Sequence, residues 1–195
     1  MLTISTFGTS LTARGGWQAP LAEQLTLALN SEVAVINRGK SGASSAWGVT
    51  AAPAVAAEAP DVVLVEFAVN DAALNRGLSP SASLDNMTRI VSSLRAGAPD
   101  RLIVLQIMNP VWGYRRWLRP FLDHLTAMHL ALAERLGLPV IDHRPLWARF
   151  DRAALKRAIP DGGHPDAAVM ADAIATSICD QLIALPEFSR VTGMA

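Results

Sequence analysis

The sequence predicts an α/β protein: a three-layer α/β/α sandwich around a five-stranded parallel sheet of the flavodoxin type. Two observations carry this. Five short apolar runs, rich in β-branched residues or Leu and nearly unbroken by polar ones, read as strands buried on both faces. Segments with helical periodicity lie between them, and such alternation calls for parallel pairing, right-handed crossovers and helices on both sides of the sheet. No internal repeat or second domain is visible, so one domain over 1–195 is expected.

The first strand is read over Leu2–Phe7. A helix follows with Trp17, Leu21, Leu25 and Ala28 on one face, then a second strand over Val33–Ile36. Ala43–Ala57 is Ala-rich and helical in character, although Gly48 and Pro53 interrupt it. Val62–Phe67 is the third strand, and Leu84, Met87, Val91 and Leu94 form the stripe of the next helix. The fourth strand, Leu102–Ile107, leads to a helix carrying Leu122, Leu125, Met128, Leu132 and Leu136, closed by Gly137. The fifth strand is Pro139–Ile141. A last helix is expected to start at Pro165 and run through Ala171, Ile174, Ile178 and Leu182.

Composition excludes several classes of function. Lys plus Arg and Asp plus Glu number 17 each, a balance that argues against nucleic acid as a partner. Half the residues are apolar and 17% are charged, which suits a packed domain rather than a disordered one. Cys179 is the single cysteine, so no internal disulfide can form, and its Ala-rich setting reads as a buried, inert thiol. No signal peptide and no run of eighteen apolar residues is visible, which predicts a cytoplasmic protein without a membrane span; a mature exported domain would look the same. The oligomeric state is left open.

In sheets of this kind the ligand site lies at the carboxyl ends of the strands. Four of the five ends carry unusual clusters: Gly8-Thr9-Ser10-Leu11-Thr12, Asn37-Arg38-Gly39-Lys40-Ser41-Gly42, Ala68-Val69-Asn70-Asp71, and a segment from Asn109 to Trp117. The last helix is entered through Asp161-Gly162-Gly163-His164-Pro165.

These residues suit acyl transfer. A serine hydroxyl attacks an ester only if a base takes its proton, which His164 can do for Ser10. A carboxylate must fix the imidazole, and Asp161 can curl back onto His164 because two glycines separate them. Asp142 is the competing orienter. The tetrahedral oxyanion needs donors, for which the Ser10 N–H, the Gly42 N–H and the Asn70 amide are available. Read singly, Ser10 is a turn or capping serine, and Asn70 and Asp71 are turn formers.

Taken in order, Gly8-Thr9-Ser10-Leu11, Gly42, Asn70-Asp71 and Asp161-x-x-His164 resemble the SGNH, or GDSL, hydrolase superfamily over nearly the whole chain. The resemblance implies that Ser10 is the nucleophile, His164 the base and Asp161 its orienter. It also implies an oxyanion hole of Ser10, Gly42 and Asn70, with no cofactor. The sequence departs at Thr9, where the family usually has aspartate, and at Ala68, where it usually has glycine.

The remaining polar residues are read conservatively. Asp71 is expected to brace its loop. His124, His129 and His143 are expected at the surface or as caps, and their spacing suggests no metal site. Trp112, Tyr114, Arg115 and Trp117, with Trp47 and Thr9, are expected to line the substrate cleft, since aromatic rings stack on sugars and guanidinium groups bind carboxylates or phosphates. Arg116 and Arg119 belong to the same basic cluster. The resulting expectation is an ester hydrolase removing a small acyl group, such as acetyl, from a polar or carbohydrate alcohol. Rival expectations are an O-acyltransferase with the same triad, a lysophospholipase or thioesterase, and a non-catalytic carbohydrate-binding module.

Overall fold

The computed structural model describes residues 1–193; the last two residues of the expected domain lie outside this range. The chain runs through β1 (Leu2–Gly8), α1 (Ser10–Ala13), α2 (Gln18–Leu29), β2 (Val33–Asn37) and α3 (Ser45–Ala57). It continues through β3 (Val62–Glu66), α4 (Ala68–Asp71), a 3-10 turn at Leu74–Arg76, α5 (Pro80–Arg95) and β4 (Leu102–Ile107). Next come α6 (Tyr114–Trp117), α7 (Leu122–Leu136), β5 (Val140–Asp142), α8 (Arg144–Trp147) and α9 (Arg152–Ala158). The C-terminal region holds α10 (Ala167–Val169), a π-helical stretch Met170–Ile174, α11 (Ala175–Ile183) and α12 (Pro186–Thr192).

All five strands pair in parallel in the order β2-β1-β3-β4-β5. Alternate residues feed two separate cores. Ile4, Val62, Leu64 and Val104 pack with Trp17, Leu21 and the C-terminal helices, whereas Phe7, Val63, Val65 and Leu105 pack with α3, α5 and α7. Both faces are therefore covered, and β3 and β4 are buried at every position. That is why these runs lack polar alternation.

Local chemistry sets the helix bounds. Ser79 caps α5 by accepting from the Ala82 N–H, with Pro80 in the first turn. Gly137 closes α7 in the left-handed conformation at φ 61°. In α3, Gly48 is required: a β-carbon there would lie 2.7 Å from Ile90 and 2.8 Å from Phe67. The helix also tolerates Pro53 and runs on to Ala57.

The C-terminal helix departs from expectation. Asp166, not Pro165, marks its start, because the Asp166 carboxylate accepts from the Val169 N–H at 2.9 Å. The π-helical stretch then keeps Met170 and Ile174 both buried on the core side. Helices α9 and α12 have no counterpart in the sequence reading, since neither carries a long apolar stripe.

The order of strands determines where a site can form. Strand β1 pairs with β2 on one side and β3 on the other, so the connections diverge from β1 and leave a crevice at the carboxyl ends of β1 and β3. Gly8 and Glu66 face each other there in register.

Candidate active site

The turn after β1 is built on a buried acid. Thr9 caps α1 by accepting from the Leu11 N–H, which sets Ser10 at the first position of that short helix. The Glu66 carboxylate accepts from the Thr9 N–H, from the Thr9 hydroxyl at 2.9 Å and from the Thr12 hydroxyl at 2.8 Å. A β-carbon on Gly8 would collide with that carboxylate, so only glycine fits at the end of β1. Burial pushes the Glu66 carboxyl up to about 7 against the opposing hydrogen bonds, with the Asp71 charge adding a smaller push. Thr9 is wholly buried, which corrects its expected place in the substrate cleft: its side chain serves Glu66 instead. An aspartate at this position would set another carboxylate directly against Glu66, whereas threonine donates to it.

Across the crevice, Asp161-Gly162-Gly163-His164 forms a tight loop. Asp161 Oδ1 accepts from the Gly163 N–H at 2.9 Å and the His164 N–H at 2.7 Å. Its Oδ2 lies 2.7 Å from His164 Nδ1, and His164 Nε2 lies 2.8 Å from Ser10 Oγ. Gly162 makes the loop possible: its φ is +76°, and a β-carbon would sit 2.6 Å from the Trp112 carbonyl oxygen. With Asp161 accepting at Nδ1, the imidazole proton sits on that nitrogen and Nε2 is free to accept from the Ser10 hydroxyl.

The electrostatics suit that polarity. Burial lowers the His164 pKa; the Asp161 hydrogen bond and charge oppose this, while the nearby Arg14 and Arg115 charges reinforce it. Burial disfavours the Asp161 carboxylate, yet hydrogen bonds from the His164 ring, its N–H and the Gly163 N–H outweigh it and hold the carboxyl below the usual range. Asp142 sits elsewhere, clasped by Arg144 at 2.7 Å.

Gly42 and Asn70 complete the crevice. Gly42 adopts φ +74°, and Asn70 lies in α4, donating through Nδ2 to the Ala43 carbonyl at 2.8 Å. Arg119 Nη2 lies 3.4 Å from Asn70 Oδ1, and Arg119 Nε donates to the Val69 carbonyl at 2.7 Å, fixing which way the amide faces. Asp71 braces the neighbouring elements, accepting from the Ser45 N–H at 2.8 Å and the Ser83 hydroxyl at 2.6 Å.

His129 corrects the sequence reading, while His143 stands at the N-cap position of α8, without a side-chain capping bond, and not at the surface. His129 is buried, with Nε2 2.8 Å from Ser83 Oγ, and His143 is buried with Nδ1 3.0 Å from Ser177 Oγ. Burial lowers both to about 4, so each stays neutral. His129 sits on the same stripe as Leu122, Leu125 and Leu132, a spacing that signals its burial in the sequence. His124 is exposed. Among the described residues no cluster of three or more His, Cys, Asp or Glu could hold a metal ion.

Ser10, Gly42, Asn70, Arg115 and His164 line one cavity of about 260 Å³. A second lobe of about 300 Å³, on the far side of Ser10 and His164, reaches Gly15, Gly16 and Met170. A third and more apolar cavity, about 430 Å³, lies under Met108, Leu122 and Trp147 and shares Val69 with the first.

The expected aromatic wall does not form. Trp47 packs on Phe7 and Phe67 beneath Lys40, on the α3 side of the sheet. Trp112 is half-buried against the C-terminal core, with Lys156 over its ring. Tyr114 and Trp117 stack on each other in solvent, ring centroids 6.0 Å apart. Short α6 turns both aromatics outward and brings Arg115 inward, where it donates to Asp161 Oδ2 at 3.0 Å. Glu66, Asn109 and Arg119 are the supporting residues to which the sequence reading assigned no such part. Asn109 donates to the Gly163 carbonyl at 2.9 Å and so ties the β4 loop to the histidine loop.

The family model of the GDSL-like lipase/acylhydrolases matches residues 6–171, from β1 to beyond His164. The chain belongs to that family. No curated protein sequence matches it. Among solved structures it is similar to a lipase/acylhydrolase from Enterococcus faecalis, at 22% identity and a TM-score of 0.81, covering 94% of this chain and 96% of that one. It is also similar to a carbohydrate acetylesterase from Sinorhizobium meliloti, at 15% identity and a TM-score of 0.71, covering 94% and 99%. An aryl esterase from M. smegmatis matches at 17% identity and a TM-score of 0.72, covering 95% and 100%. At these identities the likeness speaks for the fold: a parallel sheet between two helical layers, as in GDSL hydrolases. Membership puts the chain among acylhydrolases and esterases acting on small ester substrates.

Proposed function

We propose that the protein is a serine ester hydrolase working through an acyl-enzyme on Ser10. The observation that carries the reading is the unbroken line from Ser10 Oγ to His164 Nε2, 2.8 Å, and from His164 Nδ1 to Asp161 Oδ2, 2.7 Å. In this reading His164 takes the Ser10 proton as Oγ attacks the ester carbonyl, and Asp161 stabilises the imidazolium. The Ser10 and Gly42 N–H groups and the Asn70 amide receive the oxyanion. His164 then protonates the departing alcohol and activates water to release the acid.

The small, polar crevice around Ser10 favours a short acyl group, such as acetyl, on a polar or carbohydrate alcohol. The test is hydrolysis of 4-nitrophenyl esters from acetate to long chains by wild type and Ser10→Ala. The reading predicts best turnover at short chains and none above background in the variant. Unchanged hydrolysis by Ser10→Ala would overturn it.

A further inference from the structure

Arginines crowd the crevice beside Ser10. Arg14, Arg76, Arg115 and Arg119 all line the cavity that holds Ser10, Gly42 and Asn70, and no Asp or Glu lines it. The whole chain carries no net charge, so this is a local concentration. Elsewhere four arginines are paired, Arg38 with Glu58, Arg116 with Asp123, Arg144 with Asp142 and Arg190 with Glu187, while others such as Arg95 and Arg101 donate to backbone carbonyls. What sets the crevice apart is four arginines around one cavity. Outside that cavity, in the adjoining lobe, a single carboxylate, Asp161, faces Arg115 at 3.0 Å and Arg14 at 4.0 Å while already bound to His164. Among the described residues Arg76 and Arg119 form no ion pair.

Arg119 is the most telling of the four. It is only 7% exposed, and its guanidinium meets the Val69 and Arg115 carbonyls and the Asn70 side chain but no carboxylate. Burying a cation without a counter-charge is costly. Burial, together with the Arg115 and Arg76 charges, lowers its pKa, so the cluster repels itself when the cleft is empty. Arg76 reaches over Gly42, where a β-carbon would come within 3.3 Å of its guanidinium. Its charge therefore stands next to the backbone that would meet a reacting carbonyl.

We infer that the ester taken at Ser10 carries an anionic group, a carboxylate or phosphate, which is held by Arg76 and Arg14 in the field of Arg115 and Arg119. Guanidinium groups bind such oxyanions through paired N–H donors. The inference rests on the Ser10 reading and adds the charge of the substrate. The anion can belong to the acyl part or to the alcohol part. A general stabilisation of the oxyanion by the same arginines would raise the rates of neutral and anionic esters alike, whereas recognition changes their ratio.

The experiment compares kcat/KM within two matched pairs at low and high salt. For the acyl part the pair is 4-nitrophenyl hydrogen glutarate and 4-nitrophenyl pentanoate. For the alcohol part it is 3-acetoxybenzoate and its methyl ester. The expected result is a preference of about tenfold or more for the anionic member of one pair, the pair identifying the part that bears the charge. That ratio falls towards one at high salt and in Arg14→Gln/Arg76→Gln, and Arg76→Lys keeps part of it. Ratios of one or less in both pairs, or a preference that survives the double substitution, would overturn the inference.

Calorimetry with glutarate alone separates the two claims. Wild type that hydrolyses no ester in either pair but binds glutarate, with binding weakened tenfold by the double substitution, retains the anion site and loses the esterase reading. Neither turnover nor glutarate binding overturns both.

Discussion

The Thr9 hydroxyl donates to the Glu66 carboxylate at 2.9 Å, one residue before Ser10. A carboxylate at the end of β3 thereby holds the turn at the end of β1, and the crevice between the strands is tied shut underneath. Replacing Glu66 by Ala strands the Thr9 N–H and the Thr9 and Thr12 hydroxyls, at a cost of about 1–3 kcal/mol for each buried group left unpaired. We expect Glu66→Ala to lower Tm and to reduce kcat at least tenfold, and Glu66→Gln, which keeps one acceptor oxygen, to do less of both. Thermal unfolding and steady-state kinetics on the two variants check this; equal activity in all three proteins would separate Glu66 from the function of the Ser10 turn.

Asp161 opposes the lowering of the His164 pKa, so removing it has two separable effects. The base must be neutral, and activity therefore falls as pH drops through the His164 pKa. In Asp161→Asn the plateau rate should drop by about 10³–10⁴, the scale seen when a triad carboxylate loses its charge. The acid limb of the profile should also move to lower pH, because the group that favoured imidazolium is gone. A pH–rate profile of the variant reads both; an acid limb displaced upward would contradict the geometry.

The buried histidines link stability to pH. His129 titrates near 4 in the fold against 6.5 unfolded, so the unfolded chain binds the extra proton between those values. Its contribution is complete above pH 6.5 and is lost as pH falls towards 4, and amounts to something on the order of 3 kcal/mol. Glu66 runs the other way: raised from 4.5 to about 7, it contributes fully below 4.5 and progressively less up to 7. We expect the destabilisation caused by His129→Gln, measured by urea unfolding, to be larger at pH 7.5 than at pH 4.5. The destabilisation caused by Glu66→Gln should show the opposite trend.

Gly162 offers a backbone test. Its φ of +76° and the nearby Trp112 carbonyl leave no room for a side chain. Gly162→Ala should lose about 1–3 kcal/mol of stability and, by shifting Asp161 relative to His164, at least tenfold in kcat. Chemical denaturation and kinetics on the variant measure both.

The strands and the four motif clusters were legible because each depends on local sequence. Val62–Glu66 and Leu102–Ile107 are buried at every position, which leaves apolar runs interrupted only by Glu66 and Gln106 at their carboxyl ends. The curl of Asp161 onto His164 follows from two intervening glycines. What escaped depends on tertiary placement. Trp112, Tyr114 and Trp117 carry the composition of a binding wall, but α6 rotates the latter two into solvent and packs the first against the core. Glu66 reads as an ordinary charge after Val65; only the register that pairs it with Gly8 turns it towards Thr9 and Thr12. His129 was the exception, since its place on the Leu125–Leu132 stripe was visible and outweighed by the usual preference of histidine for the surface.

The account turns on a covalent bond to Ser10, and trapping that bond is the most direct test. The activated serine of an acyl-enzyme hydrolase attacks the phosphorus of a fluorophosphonate probe, expels fluoride and stays attached to it. Peptide mass mapping after labelling is predicted to find one adduct on the peptide containing Ser10, absent from Ser10→Ala and slowed at least a hundredfold in His164→Ala. An adduct on another residue, or ester hydrolysis that continues with Ser10 unlabelled, would contradict the account.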